Sequence, residues 1–311
     1  MNEAEPSSPS SAEPPKSAAG AVRGMTAIGA MGWMFLAILL HSLLAALAMS
    51  LRGDDKLTLL PGAMAQVLAF SLTLFLILRW HAPTLEIRSF LALRSTAWLS
   101  YPLSFLLGCT VWLPLVWCLD LIAKRWPLKE SIIQESLDGP LASRIPAMIF
   151  IAVLGPIIEE VLVRGALVKP LMARAKELSP FSFSRRAEPG SEPEQQPLRK
   201  RSTAALEVAL ITAILFVWMH VQWQTFPMLF VVGCALGGLR MRSASLIPPI
   251  LLHVGFNSTS LALSHSFPDL ESVPGLWAVL GLGASIVIAS LLWSTLASPA
   301  AERARAEELA T

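Results

Sequence analysis

The sequence predicts an all-α, polytopic membrane protein in which about eight transmembrane helices form one bundle. Three observations carry that expectation. Only 15% of the 311 residues are charged, against roughly 25% in an average soluble domain. Hydrophobic residues make up 54%. Those residues gather in runs of about 20, the length that crosses a hydrocarbon core of about 30 Å. A water-soluble globule of this composition would expose too much apolar surface to stay dispersed. A soluble enzyme, a disordered protein and a disulfide scaffold are excluded on the same grounds.

Residues 1–24 are rich in Pro, Ser, Glu and Ala, carry no apolar periodicity and are expected to form a disordered tail. Spans are then expected at about 25–50, 59–78, 98–123, 146–169, 204–222, 225–239, 244–263 and 275–297. Trp80, Trp98, Trp126, Trp223 and Trp277 fall near their ends, where interfacial aromatic residues belong. The chain thus divides into the tail, the N-terminal spans within 25–144, a core at 145–263, and a last span with a polar C-terminal tail at 264–311. Within the core, about 170–203 is a polar stretch expected to be a flexible cytoplasmic loop.

Lys and Arg orient the bundle. With the N-terminus inside, seventeen fall on the inner side, including Arg88, Arg94, Lys169, Arg174, Arg240 and Arg242. Six fall outside: Arg52, Lys56, Lys124, Arg125, Lys129 and Arg144. The positive-inside rule then puts both termini in the cytoplasm, and the expected location is a bacterial inner membrane. The net charge of +2 offers no footprint for nucleic acid, and the apolar spans make the lipid bilayer the expected partner. Cys109, Cys118 and Cys234 lie in apolar runs without metal-type spacing and read as small core fillers. Gly233-x-x-x-Gly237 permits close helix packing, internal or across a dimer.

An ionised side chain in hydrocarbon costs about 2.5–3.5 kcal/mol on insertion scales, so each one needs a reason. Apart from Lys169 at the last residue of the fourth span, five fall inside the expected spans: Asp120, Glu159, Glu160, Arg164 and Glu207. Asp120 and Glu207 lie near span ends, within reach of headgroups. The other three share the fourth span. Glu160 and Arg164 are four residues apart and can pair along a helix. Glu159 sits about 100° round the axis and is left as a surplus acid. Two more polar pairs recur at this spacing, Phe216 with His220 and His253 with Asn257. By contrast, His41, His81 and His265 lack such company and read as packing, interfacial and loop residues. The convergent set suits water activation, with a shielded carboxylate as base and imidazole and amide groups as donors to a developing oxyanion.

Together, Glu159-Glu160-x-x-x-Arg164, Phe216-x-x-x-His220 and His253-x-x-x-Asn257 resemble the three motifs of the CPBP, or Abi, family of CAAX prenyl proteases and bacteriocin-processing enzymes. The resemblance covers about residues 145–263. It implies an intramembrane endopeptidase acting on a lipidated or membrane-associated peptide or protein near the membrane surface. On that resemblance Glu159 is the base that activates water, assisted by His220. His253 and Asn257 form the oxyanion pocket, and Glu160 and Arg164 hold the first motif in place. Glu159, His220 and His253 could also supply the three protein ligands of a catalytic divalent metal such as zinc, and the sequence leaves the glutamic and metallo mechanisms open. Two other readings use the same polar residues. A transporter would want matching polar or Gly/Pro breaks in both halves of the chain, which the first three spans lack. A non-catalytic immunity or scaffold protein would not need both acids and both histidines intact. Oligomeric state and substrate identity are not readable from these residues.

Overall fold

The computed structural model describes residues 22–53, 58–128, 140–178, 198–220, 222–266, 273–299 and 302. Most of the expected tail, the middle of the polar stretch after the fourth span (179–197) and the C-terminal residues 303–311 lie outside the described residues.

Among the described residues the fold is all-helical. Helix α1 (Ala27–Arg52) starts at Thr26, whose hydroxyl accepts from Gly29 N, and stops at Gly53, whose φ of 69° only glycine adopts without strain. After it come α2 (Leu59–His81), a single turn α3 (Ile87–Phe90) and α4 (Ser100–Ala123). The next span is composite. It runs through α5 (Leu141–Ile149), a π-helical turn (Phe150–Leu154), α6 (Gly155–Glu160), a second π-helical turn (Val161–Ala166) and α7 (Val168–Leu178). The remaining helices are α8 (Leu198–Trp218), α9 (Phe226–Ser243), α10 (Ile247–Ser266) and α11 (Gly275–Thr295).

Six described helices are long and apolar enough to cross a membrane, counting 141–175 as one. The fifth and seventh expected spans are shorter apolar helices, Thr203–Trp218 and Ile247–Leu263. Both carry site motifs. The sequence-derived boundaries need three corrections. The polar stretch at 170–203 is helical at both described ends, because α7 continues to Leu178 and α8 begins at Leu198. The fifth span ends at Trp218, so His220 lies just past a helix terminus. His265 lies within α10 instead of in a loop.

Hydrogen bonds between connectors sort the helix ends onto two faces. Arg23 N donates to His81 O, Met25 N to Pro170 O and Leu246 N to Ala92 O, which gathers one set of ends. Gln224 Nε2 donates to Pro127 O and Val273 N to Asp120 Oδ2, which gathers the other. The first face carries Arg88, Arg94, Lys169, Arg174, Arg240 and Arg242, so the asymmetry in Lys and Arg is one of three-dimensional faces as well as of sequence. Asp120, near the end of α4, also accepts from the backbone just ahead of α11. His81 is buried: its Nδ1 bonds Arg23 O at 2.9 Å and its Nε2 accepts from Trp33 at 3.3 Å.

Two apolar clusters hold the bundle together. One joins α1, α2, the α3 turn and residues 162–171; the other joins α4, α9, α10 and α11. Helix α8 lies between them, with Leu215 in the first and Phe216 in the second. Glycines set the closest approaches. A Cβ on Gly233 or Gly237 would press on the backbone of Ala213 or Ala209, so this pair is an internal α8–α9 contact. A Cβ on Gly108 would collide with Leu252 O, and one on Gly255 with Phe105 O. The α4–α10 crossing therefore fixes the stretch between His253 and Asn257.

Overpacking at such a contact costs about 1–3 kcal/mol or more. Gly108→Val and Gly255→Val are expected to lower the melting temperature in detergent by several degrees. Gly283→Val, where a Cβ meets nothing within 4 Å, is expected to leave it unchanged.

Candidate active site

The first motif owes its shape to the two π-helical turns that flank it. In the first, Gly155 N donates to Phe150 O, five residues back. The next donor in that pattern would be Pro156, which has no N–H. Ile151 O is therefore left without an intrahelical donor, and Asn257 Nδ2 supplies one at 3.0 Å. A local sequence feature, one proline after a glycine, ties α10 to the motif helix at the level of the site. Single π turns inside α-helices recur at functional sites, where they redirect side chains.

Glu160 and Arg164 pair as the spacing predicts, Nη1 to Oε1 at 2.8 Å, and both side chains are fully buried. Arg164 also donates from Nη2 to Gly233 O at 3.2 Å and lies 4.7 Å over the Phe216 ring. Its own carbonyl accepts from Arg240 Nε at 3.3 Å. One guanidinium thus links the motif helix, α8 and α9. Among the described residues, Glu160 Oε2 and Arg164 Nε have no hydrogen-bond partner.

The second acid is not directed away from the first as simple helical geometry suggests. His253 spans both. Its Nδ1 lies 3.2 Å from Glu160 Oε1, and its Nε2 lies 3.9 Å from Glu159 Oε2. A proton on Nδ1 donates to Glu160, which turns Nε2 toward Glu159. Glu159 keeps some exposure, 17% of its side chain against none for Glu160. Its other oxygen, Oε1, accepts from Gln66 Nε2 at 3.2 Å. Gln66, on α2, is a site residue that the sequence reading missed. A search for charges in spans passes over a neutral amide, and the only available signal was an isolated Gln in an apolar helix.

His220 arrives by another route. Its Nδ1 bonds Phe216 O at 2.9 Å and so closes the C-terminus of α8. The Phe216 ring meets the His220 imidazole edge-on at 5.1 Å and the His253 imidazole at 5.3 Å. One phenyl ring thus holds the two histidines to the same place, although one lies just past the end of α8 and the other within α10. Among the described residues no hydrogen bond joins His220 to either carboxylate. With Nδ1 donating to Phe216, a neutral imidazole presents Nε2 as an acceptor.

The structure therefore brings Glu159, Glu160, Arg164, Phe216, His253 and Asn257 into one connected network, with His220 attached through Phe216. Residues 141–259 match the family model for the type II CAAX prenyl endopeptidase Rce1-like domain. In that region, rather more than a third of the chain, the sequence is similar to the CPBP family that the three motifs resemble. The match covers all three motifs and α5 through most of α10, four residues earlier at its start than the motifs alone suggested. No curated protein and no solved structure matches the chain. The CPBP domain is one of proteases embedded in the membrane, and the apolar helices around it agree.

A catalytic divalent metal such as zinc needs three protein donors that converge on one point. Among the described residues no three His, Cys, Asp or Glu side chains form a group able to hold a metal ion. Glu159 and His253 approach each other, but His220 joins them only through Phe216. The three do not fit as a ligand set in this arrangement.

Removing one partner of a buried ion pair costs about 3–5 kcal/mol, because the other charge is stranded. Arg164→Met is expected to destabilise the protein in detergent melts more than the double variant Glu160→Gln/Arg164→Met, which leaves no buried charge unpaired.

Proposed function

We propose that this protein is an endopeptidase that hydrolyses a peptide bond of a membrane-associated polypeptide with water activated by Glu159. The observation that carries the reading is the His253 imidazole shared by two carboxylates of different exposure. Glu160 is buried and committed to Arg164, so it serves as a fixed anchor. Glu159 is partly exposed, is oriented by Gln66 and, among the described residues, has no Lys or Arg ion pair of its own, which is the condition of a base awaiting a proton.

In this scheme a water beside Glu159 loses a proton to the carboxylate while its oxygen attacks the scissile carbonyl carbon. His220 Nε2 is the second acceptor that can orient that water. The carbonyl oxygen becomes an oxyanion and needs donors. Asn257 Nδ2 spends one of its hydrogens on Ile151 O and retains the other. His253 is the second donor, through Nε2 when that nitrogen is protonated. The proton held by Glu159 then passes to the leaving amine as the tetrahedral adduct collapses, so the acid returns to its starting state. Glu160, Arg164 and Phe216 act through position: they fix His253 and the turn of backbone that carries Glu159.

Comparison of protein termini in cells with the wild-type chain and with Glu159→Gln tests the reading. New N-termini present with the wild type and lost in the variant are expected; identical termini at equal protein levels would sink it. Gln66→Ala is expected to fold normally and lower kcat by roughly tenfold or more, since a hydrogen bond to a charged group is worth about 1.5–3 kcal/mol. Turnover of the purified protein is expected to survive a strong chelator, and loss of activity restored by zinc would replace this scheme with a metal-based one.

A further inference from the structure

The bundle seals its site on one face and leaves it accessible on the other. Toward the arginine-rich face, every residue from 162 to 171 is buried. Two connectors close over that stretch, residues 90–92 and 243–246, and both are buried as well. Leu246 N donates to Ala92 O at 3.0 Å and Ser245 Oγ to Arg94 O at 2.6 Å. A Cβ on Gly165 would touch the side chains of Leu91 and Leu246. Motif helix and connectors thus form a continuous plug between Glu160 and that face.

Toward the opposite face the motif helix is open. Ile149, Val153 and Leu154 are 51%, 37% and 45% exposed. Exposed apolar residues alone could face lipid. The site's polar residues cannot do so without cost, because a polar group turned into hydrocarbon forfeits several kcal/mol. Yet Gln66, Glu159, His220 and Asn257 all keep partial exposure, while Glu160, Arg164 and Phe216 have none. His220 also lies at the end of α8 on this side, next to the Gln222–Gln224 turn that bonds Pro127.

We propose that the scissile peptide reaches Glu159 through a water-filled vestibule on the face opposite the arginine-rich one. Since Lys and Arg mark the cytoplasmic side, that face is extracytoplasmic. The substrate is then an extracytoplasmic segment of an exported or membrane-anchored polypeptide, and not the C-terminus of a cytosolic lipidated protein. The inference rests on the endopeptidase reading for its substrate but not for its geometry, and the two are tested apart.

The geometric arm uses the full chain with Cys109, Cys118 and Cys234 replaced by Ser, checked for normal accumulation and substrate cleavage. Single cysteines are then introduced at Thr58 and Val153 on the open side and at Ser95 on the sealed side. A membrane-impermeant maleimide added to intact spheroplasts is expected to label Thr58→Cys and Val153→Cys, and to label Ser95→Cys only after permeabilisation. Labelling of Ser95→Cys alone, or of Thr58→Cys without Val153→Cys, overturns the proposed access. Ile149→Cys replaces Val153→Cys if the latter fails to accumulate. The substrate arm uses the termini lost in Glu159→Gln. They are expected to map to extracytoplasmic segments, and cytosolic C-terminal cuts overturn the substrate assignment. An absence of any lost terminus instead defeats the endopeptidase reading and this substrate with it, while leaving the labelling result intact.

Discussion

The buried pair between Glu160 and Arg164 is the interaction on which the rest depends. Two charges taken wholly out of water are stable only if each is opposed and hydrogen-bonded. The pair meets that condition by recruiting its neighbours. Arg164 takes the carbonyl of Gly233 and the face of Phe216, while Glu160 takes the Nδ1 of His253. Each recruited group belongs to a different helix. Satisfying one ion pair therefore brings α8, α9 and α10 to the motif helix at one level. Glu159, the proposed base, is the residue next to that anchor, so its position follows from a constraint that has nothing to do with chemistry.

Small residues make this convergence feasible. Gly233 admits α8 closely enough for its own carbonyl to reach Arg164, and Gly108 with Gly255 brings α4 against the segment between His253 and Asn257. In lipid there is little hydrophobic drive between helices, so close packing and interhelical hydrogen bonds carry association. The same residues that hold the bundle together thus set the distances at the site. Stability and geometry are not separable here, and a substitution at Gly255 disturbs both.

The division of the network by exposure gives its members different work. Glu160, Arg164 and Phe216 are shut away and act as a rigid frame. Glu159, Gln66, His220 and Asn257 face the accessible side. A base needs water and a substrate carbonyl within reach, whereas a frame is best kept dry, where its electrostatic interactions are strongest. The plug made by residues 90–92, 162–171 and 243–246 keeps the two environments apart.

The scarcity of charge in apolar runs made the membrane class and the three motifs readable from the sequence alone. An ionisable group in lipid is expensive enough that its position is informative without coordinates. The Glu160–Arg164 pair was legible too, because a four-residue spacing is local. Gln66 was not, since a neutral amide carries no comparable penalty and its partner is 93 residues away. The bridging of both acids by His253 also escaped, because it arises from the flanking π turns, which have no plain sequence signature beyond Gly155-Pro156. His220 was assigned to a helix that in fact ends at Trp218, and only the Phe216 contacts show how it still reaches the site. The sequence determined which residues are costly and hence which matter. The tertiary structure decided which of them meet, and from which face they are reached, because those outcomes depend on helix packing between segments far apart in the chain.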